Sequence, residues 1–127
     1  RSHPDALVLG ADTTVALGRH ILGKPEDAKD ALRMLKMLSG QTHRVLTAVA
    51  VASNRKRAIC VSVSQVTFAP MKLSEMKSYV ASGEPMGKAG AYGIQGLAAS
   101  YISEIKGSYS SIMGLPLFET AQLLKQI

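Results

Sequence analysis

The sequence predicts one α/β domain with a mixed sheet and flanking helices, and three observations point there. An almost continuous apolar run from Ala6 to Ala11 has the character of a buried strand. Ala28, Ala31, Leu32, Leu35 and Leu38 recur at the spacing of one helix face. Val45 to Ala52 and Ala58 to Phe68 are strand-like stretches on either side of a short basic turn, the pattern of an antiparallel hairpin. At 127 residues with 46% hydrophobic content, the chain holds enough apolar material for one core.

Taken in order, the first strand is expected to end at Asp12, a strand end being a usual place for functional side chains in α/β folds. Val15 to Leu22, interrupted by Gly18, predicts a short hairpin. Pro25 suits the first turn of the next helix, Glu26 and Asp27 favour its positive end, and Gly40 stops it. In the second strand of the long hairpin, Val61, Val63, Val66 and Phe68 flank the polar Ser62, Ser64 and Gln65 with one break in alternation, which predicts a bulge. Ser74 is expected to cap a helix to about Ser82, with Leu73, Met76 and Val80 inward and Gly83 ending it. Gly87 to Gly96 is too irregular for a helix, and Tyr101 to Ile105 is a further strand candidate. Pro116 fits the start of a last helix whose core face would be Leu117, Ala121 and Leu124.

A net charge of +6 suits nucleic acid, an acidic surface or a small polyanion. Arg55, Lys56 and Arg57 form the one tight basic run and fit a solvated turn. With four Tyr, two Phe and no Trp, a base-stacking surface is not expected, so nucleic acid is not the expected partner. No apolar stretch approaches the ~20 residues that cross a bilayer, so no membrane association is expected. The lone Cys60 cannot pair within the chain, which favours a reducing compartment and a cytoplasmic location. His3, His20 and His43 lack zinc-ligand spacing, and the glycines around Lys88 do not make a P-loop.

Four side chains could carry chemistry. Asp12, followed by Thr13 and Thr14, could act as a general base or as an oxygen ligand for Mg²⁺, although a turn after a strand is the more ordinary explanation of such a tripeptide. Lys24 precedes a helix start, where exposed N–H groups attract anions. Lys88 lies among Gly87, Ala89 and Gly90, small neighbours that let a ligand approach the backbone. Gln95, between Gly93 and Gly96, offers a donor and an acceptor to the edge of a base. Solvated loop residues remain the ordinary alternative for all three. Together, one acid, two lysines and one amide at element ends suit a metal-assisted reaction on nucleotide phosphates.

The motifs Gly10-Ala11-Asp12-Thr13-Thr14-Val15, Ile21-Leu22-Gly23-Lys24-Pro25 and Leu38-Ser39-Gly40 with Thr42-His43 stand in the same order as in the Maf family. Tyr79-Val80 with Gly83-Glu84-Pro85, Lys88-Ala89-Gly90-Ala91-Tyr92-Gly93-Ile94-Gln95-Gly96, Gly107-Ser108-Tyr109 and Gly114-Leu115-Pro116-Leu117 continue the series, so the chain resembles that family along essentially its whole length. The resemblance implies a two-lobed α/β fold with a central cleft, related in shape to inosine triphosphate pyrophosphatases. It implies hydrolysis of a nucleoside triphosphate to the monophosphate and pyrophosphate with a divalent metal, Mg or Mn. Ala11-Asp12-Thr13 and Tyr92-Gly93-Ile94-Gln95 are similar to the branch acting on dTTP, UTP and modified pyrimidine nucleotides. On this resemblance Asp12 is the water-activating base, Lys24 and Lys88 face the phosphates, and Thr13 and Gln95 set specificity near the base. Ser39 and His43 are structural, and a homodimer is compatible.

Two departures from the family pattern accompany the match. The family's Ser-x-Ser-Pro-Arg-Arg type loop, with a glutamate and a further lysine, is not in this chain, so residues 1–127 are expected to be an N-terminally truncated Maf-like domain. Gly87 stands where many members have aspartate. The alternative to a pyrophosphatase is a fragment that binds nucleotide or a partner without turnover.

Overall fold

The computed structural model describes residues 8–53, 56–107, 112 and 117–126. Strands β1 (Val8–Leu17), β2 (His20–Leu22), β3 (Thr42–Ala52), β4 (Arg57–Phe68) and β5 (Ile102–Lys106) form a sheet in the order β2-β1-β3-β4-β5. Helices α1 (Ala28–Leu38), α2 (Leu73–Ala81) and α3 (Leu117–Gln126) flank it. The α/β class with flanking helices is therefore as expected. Where mixed pairing was anticipated, every pairing among the described strands is antiparallel. No helix among the described residues is long and apolar enough to cross a membrane.

The first strand departs from expectation. It does not stop at Asp12 but runs on to Leu17, and Asp12 sits mid-strand opposite Ala48 of β3. Thr13, Thr14 and Val15 are β-branched and favour extended backbone, so a polar residue after an apolar run need not end the strand. Ala6 and Leu7 lie outside the described residues. Val8 to Asp12 are exposed rather than buried, and burial begins at Val15. Gly18, at φ +57°, makes the turn into β2.

Strand β4 solves its broken alternation without the expected bulge against β3. Side chains alternate faces throughout, but Ser62 and Ser64 point inward while Val61 and Val63 stay 56% and 54% exposed. The irregularity lies instead between Thr67 and Phe68, where β4 pairs with β5. On the covered face, Val15, Val45, Val66 and Phe68 pack with Ala31, Met34, Leu35 and Leu38 of α1 into the main core. A smaller cluster of Val49, Val51 and Leu123 lies further along the same strands under α3. The opposite face presents Ala48, Ala50, Ile59, Val61 and Val63.

Helix ends follow local chemistry. Asp27 is the N-cap of α1, its Oδ1 accepting the Asp30 N–H at 2.7 Å, and Gly40 follows the helix at φ +68°. Ser74 does not cap α2. Lys72 holds that position, and the Glu75 carboxylate reaches back to accept the Lys72 N–H at 2.8 Å. Leu73 is exposed there, and Met76 with Tyr79 forms the buried face. On α3, Thr120 and Leu123 are buried while Ala121 and Leu124 are exposed, a rotation of the predicted face by about one position. Pro116 and the side chain of Leu117 lie outside the described residues.

Candidate active site

The stretch from Gly83 to Gly96 folds as tight turns, including a 3₁₀ turn at Ala89–Ala91, and closes over one end of the covered sheet face. Gly90 makes this packing feasible. At φ +73° its bare Cα lies against Val15, where an added Cβ would fall 2.9 Å from Cγ1. Its N–H donates to the Gly23 carbonyl at 3.1 Å, tying the loop to the residue before Lys24. Ala91 also has a positive φ of 65°, an unusual conformation for a residue with a Cβ that costs about 1–2 kcal/mol.

Between this loop and the sheet lies a cavity of about 190 Å³, lined by Thr13, Val15 and Val45 from the strands and by Lys88, Tyr92, Gly93, Ile94 and Gln95 from the loop. Three of the five predicted residues, Thr13, Lys88 and Gln95, thus share one cavity. The Thr13 hydroxyl is 3.4 Å from that of its cross-strand neighbour Thr47. Lys88 Nζ donates to the Glu84 carbonyl at 2.9 Å, and its side chain crosses Gly93 so closely that a Cβ there would sit 2.9 Å from Cε. Gln95 is exposed.

Asp12 and Lys24 are not among the cavity's lining residues. Because successive strand residues point to opposite faces, Asp12 projects from the other side of β1 to Thr13, and it is exposed. Strand β2 pairs only with Val15 to Leu17, so among the described strands Val8 to Thr14 forms an open edge. Lys24 is exposed in the loop after β2. Asp12 is the only carboxylate on β1, β3 and β4. Among the described residues, no group of three or more His, Cys, Asp or Glu side chains could hold a metal. A Mg²⁺-type ion requires no such cage, since it takes one or two carboxylates with waters and substrate phosphates.

Two interactions behind the cavity wall involve residues that sequence reasoning gave no catalytic or binding role. His43, 1% exposed, bonds through Nε2 to the Tyr92 hydroxyl at 2.7 Å, while its Nδ1 has no hydrogen-bond partner. The His43, Phe68 and Tyr92 rings meet edge to face. Burial pushes the imidazole down from 6.5 to about 4 and the Tyr92 phenol up. The structural role expected of His43 fits this setting. Ser39 likewise accepts the Met71 N–H at 2.7 Å. Ser108 lies outside the described residues.

The second interaction joins Tyr79 to Glu84. The Tyr79 hydroxyl donates to the Glu84 carboxylate and accepts the Gly93 N–H at 3.2 Å. Glu84 also accepts the Leu97 N–H at 2.9 Å and the Ala98 N–H at 3.4 Å. Burial alone would push the Glu84 carboxyl up, but the Tyr79, Leu97 and Ala98 donors and the charge of Lys88 hold it below the usual range. Burial and then the Glu84 hydrogen bond raise the Tyr79 phenol. Glycine at 96 accommodates the carboxylate, since a Cβ there would overlap it. The sequence signal was limited to Tyr79-Val80 with Gly83-Glu84-Pro85, which resemble family motifs without indicating that the two side chains bond.

The buried His43 makes stability depend on pH. Its proton affinity is higher in the unfolded chain, at an ordinary 6.5, than in the folded one, at about 4. Stability is therefore full above 6.5, falls as pH drops from 6.5 towards 4, and loses about 3 kcal/mol across that window. Urea unfolding at pH 7, 5.5 and 4 should show this slope, and His43→Phe should flatten it. An unchanged slope in that variant would assign the acid sensitivity to other groups.

These features define an α/β protein whose antiparallel sheet carries a largely apolar cavity, with Thr13, Lys88 and Gln95 as its polar groups, under a glycine-rich loop. Within that class the chain belongs to the Maf family, since the family described as Maf-like protein matches residues 1–127. The chain is 67% identical over 120 residues to a dTTP/UTP pyrophosphatase of Polaromonas sp. (strain JS666), covering 94% of this chain and 59% of that protein. It is 61% identical over 126 residues to a dTTP/UTP pyrophosphatase of Cupriavidus metallidurans, covering 99% of this chain and 63% of that one. A dTTP/UTP pyrophosphatase of Xanthomonas oryzae pv. oryzae is 55% identical over 122 residues, with 95% and 64% covered. The chain spans about three-fifths of the length of the curated relatives it matches.

Proposed function

We propose that this chain carries the chemistry of a nucleoside triphosphate pyrophosphatase that hydrolyses dTTP, UTP and modified pyrimidine nucleotides to the monophosphate and pyrophosphate. The observation that carries the proposal is the convergence of Thr13, Lys88 and Gln95 on one cavity, in a chain highly similar to proteins named for that activity. Thr13 and Gln95 supply a hydroxyl and an amide to the edge of the base, and Lys88 supplies positive charge to the phosphates. Lys24 faces the same phosphates from the segment that Gly23 ties to the Lys88 loop.

Asp12 takes the proton of the attacking water. The water oxygen bonds to the α-phosphorus, the bond from that phosphorus to the α–β bridging oxygen breaks, and pyrophosphate leaves with the electron pair. A nucleoside triphosphate bound beside β1 would reach Thr13 with its base and Asp12, on the opposite face of that strand, with its phosphates. Asp12, with the phosphate oxygens, would hold a Mg²⁺ or Mn²⁺ ion, which when bound offsets charge on those oxygens. A nucleoside triphosphate is thus the proposed substrate, bound by a single Maf-like domain over 1–127.

One observation favours a second reading, nucleotide binding without turnover: Asp12 points away from the cavity that holds the other groups. Pyrophosphate release and calorimetry on the full-length protein separate the two. Release from dTTP and UTP with Mg²⁺ or Mn²⁺ is expected, and tight nucleotide binding without release would replace the hydrolase assignment by the binding one.

A further inference from the structure

We propose that Tyr79 and Glu84 are positioning residues that set the loop carrying Gln95 and anchor Lys88, and thereby control which pyrimidine base the cavity accepts. The inference rests on the functional assignment above, in which Gln95 meets the base and Lys88 the phosphates.

Gln95 is held on both sides by one bonded pair. Two residues before it, the Gly93 N–H donates to the Tyr79 hydroxyl at 3.2 Å. Two residues after it, the Leu97 N–H donates to the Glu84 carboxylate at 2.9 Å, followed by Ala98 at 3.4 Å. Tyr79 closes the ring by donating to that same carboxylate. Lys88 joins through the backbone, its Nζ bonded to the Glu84 carbonyl at 2.9 Å and its stem lying over Gly93.

The energetics favour a rigid bracket. Hydrogen bonds to an ionised carboxylate are stronger than neutral ones, and three donors converge on this one. Tyr79 is buried in the core face of α2, so the ring is anchored to a helix rather than to another loop. A loop fixed in this way presents the Gln95 amide in one orientation. Thymine and uracil offer an acceptor at O4 where cytosine offers an amino donor, so a fixed amide discriminates while a mobile one adapts to both.

Tyr79→Phe keeps the packed ring and removes the hydroxyl, while Glu84→Gln keeps the shape and one acceptor but removes the charge. Steady-state kinetics with dTTP and dCTP, comparing full-length parent, Tyr79→Phe, Glu84→Gln and Glu84→Ala, test the proposal. KM for dTTP should rise about tenfold, kcat should change less than about threefold, and the dTTP/dCTP ratio of kcat/KM should narrow at least about fivefold. Glu84→Gln should recover part of what Glu84→Ala loses. A parental KM and a parental ratio in Tyr79→Phe and Glu84→Gln, with dTTP still hydrolysed, would overturn the bracket and leave the hydrolase assignment standing. An equal fall in kcat on both nucleotides with unchanged discrimination would reduce the pair to fold maintenance and also overturn it. A parent that releases pyrophosphate from neither nucleotide would remove the functional assignment and the bracket with it.

Discussion

Replacing Asp12 by alanine is expected to slow pyrophosphate release from dTTP by about 10²–10⁴-fold, with KM changed far less. The reason lies in where the carboxylate sits. It is the only acid on β1, β3 and β4, so no other carboxylate of these three strands could take over the proton. A general base acts as the water attacks, which places its loss in kcat rather than in ground-state binding. Asp12→Asn should fall as far, because the amide keeps the shape and cannot accept the proton. Asp12 is exposed, so neither variant leaves a cavity, and folding stability should stay within about 0.5 kcal/mol of the parent. Parental kcat in both variants would withdraw the base assignment.

The second large effect is on the fold. Gly90→Val is expected to cost roughly 3–5 kcal/mol, combining a left-handed conformation unsuited to a β-branched residue with overpacking against Val15. The contact is with Val15 Cγ1 at 2.9 Å and Cβ at 3.2 Å, near the root of a buried strand side chain that cannot swing aside. Gly87→Ala is the informative comparison. Gly87 has φ +80° but nothing within 4 Å of an added Cβ, so only the conformational cost of about 1–2 kcal/mol applies. Denaturant midpoints at constant slope give both values. Equal midpoints for the two variants would show that the contact with Val15 relaxes.

Much of the architecture was legible because one pattern dominated locally. In α1 the apolar spacing, the acids near the N-terminus and Gly40 all agree, and the helix forms between them. The β3–β4 hairpin was equally readable from its length and its basic turn. The face assignments were harder. In β4, valine is expected inside and serine outside, yet the register puts Ser62 and Ser64 in the interior and Val61 and Val63 outside. Only the pairing with β3 decides that, since a one-residue shift exchanges the two faces. The same applies to α3, where Leu123 and Leu124 are equivalent in composition and differ only in what lies beneath them.

The candidate residues divided along a similar line. Thr13, Lys88 and Gln95 stood in motifs, and folding brings them to one cavity. That Asp12 would lie mid-strand on the far face could not be read from an apolar run followed by an acid. Tyr79 and Glu84 stood in family-like motifs but gave no sign of their role, because that role is a closed ring of hydrogen bonds spanning α2 and the Gly93–Ala98 loop. His43 was recognisable as structural, but the burial that keeps it neutral depends on Phe68 and Tyr92 arriving from elsewhere in the chain to meet it edge to face.

The lysine tether has a kinetic consequence. The Lys88 ammonium is held by the Glu84 carbonyl, so on its proposed role a phosphate arriving there would exchange one partner for another instead of recruiting a loose side chain. Much of the ordering of a long flexible arm is complete before the ligand enters, which lowers the entropic cost of capture. On the proposed phosphate role, the position from which Lys88 would move to the ligand is thus built into the loop.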